Sequence, residues 1–162
     1  MLVLGALIPV HLVIANRQRS KKINSRLLKQ IVSALFEELK IENYEFGINL
    51  VGAGEMTRIN WKFLQHEGST DVITFDHRES VIGDWESAIQ LHGELFICVD
   101  EAMAQAKEFR TTWQSEMIRY VVHGVLHLTG HDDLKPALRR KMKREESRLV
   151  RRLEQRFSPA KL

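Results

Sequence analysis

The apolar positions of this chain follow two spacings, one of three to four residues and one of two, and the switches between them lay out its elements. Leu27, Leu28, Ile31, Val32, Leu35, Phe36 and Leu39 recur at helical spacing after Asn24 or Ser25, either of which can cap the helix. In "YEFGINLVG" the apolar Phe46, Ile48 and Leu50 stand two apart, the mark of a strand with one face inward. Gly52 and Gly54 then turn the chain into a short helix over 55–64, and the β-branched run "TDVITF" reads as another strand. From His77 to Leu91 there is no periodicity, so a polar loop is expected. "GELFICVD" is a further strand, with Asp100 as the cap of a helix over 101–109. Thr111 or Thr112 opens the next helix, 113–128, which Gly130 can end in a left-handed conformation. The last helix, 136–156, has Pro136 in its first turn and an apolar stripe of Leu138, Met142, Leu149 and Leu153. With a first strand over 10–15, and neither repeat nor linker, these elements make one α+β domain spanning 1–162.

The N-terminal run from Leu2 to Ala15 is mostly apolar, yet shorter than the roughly 20 residues a bilayer span needs, and Gly5 and Pro9 break it. Its positive charges follow rather than precede it, the reverse of a secretory signal, so residues 1–9 read as a disordered or misassigned extension. A chain of 162 residues, 44% hydrophobic and 28% charged, can bury one sizeable core. The single cysteine, Cys98, lies within "ELFICV"; an internal disulfide is impossible, and a buried thiol points to a reducing compartment, the cytoplasm. The net charge of +3 is unevenly placed. Between Lys135 and Arg156 ten Lys and Arg face three Glu, so a basic arm is attached to a slightly acidic body. That arm suits phosphate contact, with Arg139, Arg140, Lys143 and Arg144 as candidate RNA ligands.

Candidate chemistry concentrates in "HGVLHLTGHDD", residues 123–133. His123 and His127 stand four apart on one helix face, where two imidazoles can share an ion. The run continues with two residues, Gly130, two more and Asp133, the ligand spacing of the metzincin pattern H-E-x-x-H-x-x-G-x-x-H, in which the glycine turns the chain back toward the metal. Asp133 is therefore the expected third ligand, with His131 the alternative and Asp132 a support for a ligand histidine or a cap of the turn. Two histidines and a carboxylate at an open site suit one zinc ion with an acidified water, although nickel or iron could use the same atoms. Gly124 stands where H-E-x-x-H peptidases carry their glutamate base, which weighs against a peptidase.

These residues carry a family resemblance. "HGVLHLTGHDD" resembles the H-G-x-L-H-L-x-G-x-D-H signature of the YbeY family of bacterial endoribonucleases and ribosomal RNA maturation factors. "RINWKFLQHEGSTDVITFD", "HGELFICVDEA" and "KMKREESRL" are similar to further family segments, so the resemblance runs from about Val13 to Leu153. It implies a small mixed four-stranded sheet packed with about five helices and a zincin-like zinc site at the end of a central helix. It also implies cleavage of single-stranded RNA in small-subunit ribosomal RNA maturation and ribosome quality control. Expected partners are ribosomal RNA and the small ribosomal subunit, with a ribosomal protein or an assembly GTPase as a protein contact, and no membrane. The chain departs from the signature twice: Asp133 replaces its final His, and Leu64 stands where the family has an arginine thought to help with the phosphate. His66 and Arg58 are the nearest cations to replace it, His66 as a catalytic candidate, while Asp71 matches the family's T-D pair and is expected either to orient a ligand histidine or the water or simply to start a strand, an ambiguity Asn60 shares. The alternatives are a metallopeptidase or other metallohydrolase, or a non-catalytic ribosome-assembly factor whose metal is structural.

Overall fold

A computed structural model of the chain describes residues 10–78 and 90–162. Its elements are β1 (Val10–Asn16), α1 (Ser25–Glu38), β2 (Tyr44–Val51), α2 (Ala53–Leu64), β3 (Val72–Asp76), β4 (Leu91–Cys98), α3 (Val99–Phe109), α4 (Trp113–Leu128) and α5 (Pro136–Arg156). The four strands form one mixed sheet in the order β1-β2-β4-β3, with β1, β2 and β4 parallel and β3 antiparallel at the edge beside β4. This is the α+β domain of a four-stranded sheet and five helices that the sequence led us to expect. Residues 1–9 and most of the expected polar loop, 79–89, lie outside the described residues. Among the described residues no helix is long and apolar enough to cross a membrane.

Period-two alternation decides the two sheet faces. Phe46, Ile48 and Leu50 of β2 and Leu91, Leu95 and Ile97 of β4 are buried in a single core with α1, α4 and α5. The other face carries a smaller cluster in which Met56 of α2 meets Ile73 and Cys98. Helix α4 is the centre of the molecule: Met117, Ile118, Val121, Val122, Val125 and Leu126 are fully buried. It lies unusually close to the sheet, because a Cβ built on Gly124 would stand 2.5 Å from Leu95 Cδ2.

Three local expectations change. Asp100 does not cap α3, which begins at Val99 directly from β4; its Oδ2 instead accepts from the Ala53 N–H at 2.7 Å and so caps α2 across the fold. With that N–H satisfied, α2 starts at Ala53, two residues before the expected 55. Leu138 is 39% exposed and leaves the α5 stripe, while Glu146 and Val150 join Met142, Leu149 and Leu153 on its buried face. Asn24 and Thr112 are the caps actually used, accepting from the Leu27 and Ser115 N–H groups.

Candidate metal centre

Beyond Gln114 and Ser115 in its first turn, helix α4 is apolar except for one stripe at Glu116, Arg119, Tyr120, His123 and His127. Residues three and four apart share a helix face, so this stripe is continuous and opens on a cleft of about 520 Å³. At its C-terminus, Gly130 takes φ +100°, its N–H bonds the His127 carbonyl and the His131 N–H reaches back to the Leu126 carbonyl. This paired cap reverses the chain at Gly130, where the positive φ would strain a side chain. Asp132 then accepts the Leu134 N–H at 2.8 Å, and the turn brings Asp133 back over the helix.

The structure gathers His123, His127 and Asp133 into one group that could hold a metal ion. Their candidate ligand atoms are 3.1 Å apart between the two Nε2 atoms, 3.5 Å from His127 Nε2 to Asp133 Oδ2, and 3.9 Å from His123 Nε2 to the same oxygen. Tetrahedral zinc with arms of about 2.0–2.1 Å separates its ligand atoms by about 3.4 Å, so the three atoms already stand near the spacing an ion requires. The opposite ring nitrogens are engaged as such a site needs: His123 Nδ1 donates to Glu146 Oε2 at 2.8 Å, and His127 Nδ1 donates to the His131 carbonyl at 3.2 Å. With both Nδ1 atoms protonated, the Nε2 lone pairs converge. Two such lone pairs face each other at 3.1 Å only with a cation or a proton between them. His131 thus enters the site through its main chain, not its imidazole.

Glu146 is the residue that sequence reasoning passed over. It is 5% exposed, and its second oxygen accepts from Arg119 at 2.7 Å. Its signal in the sequence was the pair Glu145 and Glu146, which both stand three or four residues from Met142 and Leu149; only the packing decides that Glu146 is the buried one. The hydrogen bond that His123 donates to Glu146 raises the His123 pKa above its ordinary 6.5, with burial opposing and the charges of Glu146, Asp71 and Asp133 helping. Burial pushes Glu146 upward, but the hydrogen bonds and charges of His123 and Arg119 outweigh it and hold the carboxyl below 4.5. A raised histidine contributes stability that is complete below 6.5 and fades as pH climbs through its folded value. A lowered glutamate contributes above 4.5 and fades as pH falls. In chelator-treated protein, thermal melts of wild type and Glu146→Gln should therefore differ most between pH 4.5 and 6.5 and converge on both sides. Because an ion needs His123 neutral, metal affinity should fall as pH is lowered, and the fall should already begin above pH 6.5, which a titration of bound metal against pH would show.

The cleft is lined by Asp71, Gln105, Phe109, Arg119, Tyr120, His123, Asp133, Arg139, Lys143 and Glu146, among others. Of the expected RNA ligands, Arg139 and Lys143 reach it, and Arg139 Nε also donates to the Asp133 carbonyl at 2.9 Å. Arg140 and Arg144 are exposed on α5 away from it, and Arg58 and His66 are exposed on and just after α2. Leu64 is likewise exposed on α2 rather than in the cleft. The cation absent at Leu64 is therefore not replaced by its sequence neighbours. Among the described residues, Arg119, Arg139 and Lys143 are the cations that line the cleft beside the metal group. Asp71 accepts the Val72 N–H at its Oδ1. Asn60 is buried and donates to the Gly68 carbonyl, tying α2 to the turn that follows.

Comparison with known proteins extends the likeness over the whole domain. The family described as "Endoribonuclease YbeY" matches residues 13–154. A Salinibacter ruber protein named endoribonuclease YbeY is 30% identical over 143 residues, covering 88% of this chain and 91% of its own. A relative of the same name from Alkaliphilus metalliredigens is 30% identical over 142 residues, covering 85% of this chain and 92% of its own. Among solved structures, the solution structure of a Thermotoga maritima protein has the same fold, with a TM-score of 0.62 over 89% of each chain at 23% identity.

Proposed function

This chain belongs to the endoribonuclease YbeY family, and from that premise we propose that it cleaves single-stranded RNA by metal-assisted hydrolysis of a phosphodiester. We assign zinc as the ion, the maturation of small-subunit ribosomal RNA and the quality control of ribosomes as the setting, and the cytoplasm as the compartment. The observation that carries this reading is a convergent His123, His127 and Asp133 group beside Arg119, Arg139 and Lys143 in one cleft. A buried free thiol at Cys98 agrees with a reducing compartment. The ribosomal RNA of the small subunit, with a ribosomal protein or an assembly GTPase alongside, is the partner this setting requires.

His123, His127 and Asp133 would hold the ion, which when bound supplies Lewis acidity toward a phosphodiester and lowers the pKa of a water. The remaining work belongs to the protein. Glu146 orients the His123 ring and holds the proton at Nδ1, so that Nε2 stays a donor of its lone pair. Arg139 and Lys143 attract the phosphates and share the charge that develops on them, and Arg119, anchored on Glu146, adds a third cation from the floor. Among the described residues four carboxylates line the cleft: Asp133 would hold the ion, Glu146 pairs with His123 and Arg119, and Glu116 accepts the Thr111 hydroxyl at 2.6 Å. Asp71 accepts the Val72 N–H and the Thr70 hydroxyl at its Oδ1, and its other carboxylate oxygen is assigned to accept a proton from the attacking water.

A peptidase of the H-E-x-x-H kind has no place for its base. Position 124 faces Leu95 in the core, where even a methyl group would lie 2.5 Å from a carbon. Cleavage of a short single-stranded RNA by protein stripped with chelator, then reloaded with one equivalent of zinc, tests the reading. Activity is expected only after reloading, with no turnover of a peptide library. Equal cleavage by the stripped, folded protein would exclude the metal mechanism. Co-sedimentation with small ribosomal subunits without any RNA cleavage would leave an assembly factor with a structural metal.

A further inference from the structure

The cleft has two unlike walls. One is α3, which presents Gln105 and Phe109, four apart on a single helix face and both uncharged. The other is α5, which presents Arg139 and Lys143. Both helices pack on α4, whose stripe of Arg119, Tyr120 and His123 forms the floor between them. Phe109 is 61% exposed although it lines this cleft. It is the last residue of α3, and Arg110, in the left-handed region at φ 56°, ends the helix there and leaves the ring at the rim instead of in the core. Tyr120, by contrast, is 3% exposed, and its buried hydroxyl has no hydrogen-bond partner among the described residues. An apolar ring held in water at the rim, with an amide on the same helix face, calls for a ligand that brings a flat face and a polar edge together.

We propose that the α3 wall is a nucleobase subsite, in which a base of single-stranded RNA stacks on Phe109 and offers its edge to the Gln105 amide, while the adjoining phosphate turns toward Arg139 and Lys143. The inference rests on the RNA reading above and adds what selects the strand. A nucleotide joins a flat aromatic face to an anion across one sugar, the same pairing that the two walls present. A peptide side chain could cover Phe109, but its backbone brings no anion to α5. A duplex keeps its base faces stacked inside and cannot offer one to an aromatic ring, so the subsite accounts for a single-strand preference.

Binding can be measured without cleavage, on metal-stripped protein, with a short single-stranded RNA that carries 2-aminopurine, whose emission is quenched when it stacks. Wild type should bind and quench. Phe109→Ala should weaken binding by roughly tenfold, within the range that base stacking on an aromatic ring supplies, and Phe109→Trp should restore it. An oligonucleotide of the same length with abasic sites should bind wild type as weakly as the intact RNA binds Phe109→Ala, and should not distinguish the two proteins. Because the ring is largely exposed, unchanged melting and unchanged zinc content on reloading will show that the variant is folded. If intact RNA binds wild type and Phe109→Ala equally, the subsite is wrong while the RNA reading stands. If wild type binds no RNA, or an apolar peptide displaces it from the cleft, the RNA reading fails and takes the subsite with it.

Discussion

His127→Ala is expected to lose the ion and at least about a thousandfold of RNA cleavage, while keeping its fold. A catalytic metal supplies several kcal/mol of transition-state stabilisation, and each ~1.4 kcal/mol is a factor of ten in rate. The fold survives because the packing of α4 comes from its other faces, where Val121, Val122, Val125 and Leu126 are fully buried. Metal content, melting temperature and cleavage should be read on the same sample. Wild-type cleavage by a folded, metal-free His127→Ala protein would sink the mechanism. Asp133→Ala and His131→Ala separate the candidates for third ligand. The first should lower metal affinity, since Asp133 Oδ2 lies 3.5 Å from His127 Nε2. The second should leave it near wild type, since His131 contributes its carbonyl, which alanine retains.

The second large effect is expected far along the chain. Glu146→Gln should weaken metal binding by about 10- to 100-fold, the usual consequence of removing the carboxylate behind a ligand histidine. Glutamine still offers an oxygen to His123 Nδ1 but withdraws the negative charge that makes that ring a stronger ligand. Glu146→Ala goes further and leaves Arg119 and His123 without their partner. Breaking a fully buried pair costs about 3–5 kcal/mol, but the two partner side chains are 37% and 31% exposed, so solvent takes up part of the loss and about 2 kcal/mol is expected. Chemical denaturation of the metal-free proteins gives the stability difference, and competition with a chelator gives the affinity. Wild-type metal affinity in Glu146→Gln would show that the carboxylate is not tuning the ligand.

Much of the site was legible because its first part is local. The spacing of His123 and His127 on one helix and the glycine two residues before Asp132 are properties of a short stretch of chain, governed by helix pitch and turn sterics. Asp133 was preferred to the more conspicuous His131 on that basis alone; the turn at Gly130 puts the Asp133 carboxylate beside the two imidazoles, and the carbonyl of His131 meets His127 Nδ1, a contact no spacing pointed to. Leu64 was harder to interpret. As a missing cation it raised a doubt about phosphate chemistry, yet the cations of the cleft come from α4 and α5, which sequence distance from Leu64 could not show. Asp100 illustrates the same limit in the fold: its position suited a local cap, and it caps a different helix instead.

From its sequence alone, this chain determined its element types, their order and the histidine pair, because each depends on neighbours within a few residues. Only the tertiary structure decided that Glu146, in a helix read as a basic surface arm, is buried behind His123, and that an uncharged wall of Gln105 and Phe109 faces a cationic one. Those relations link residues on different helices. They arise from how α3 and α5 pack on α4, and no periodicity within one segment encodes the angle and depth at which another segment meets it.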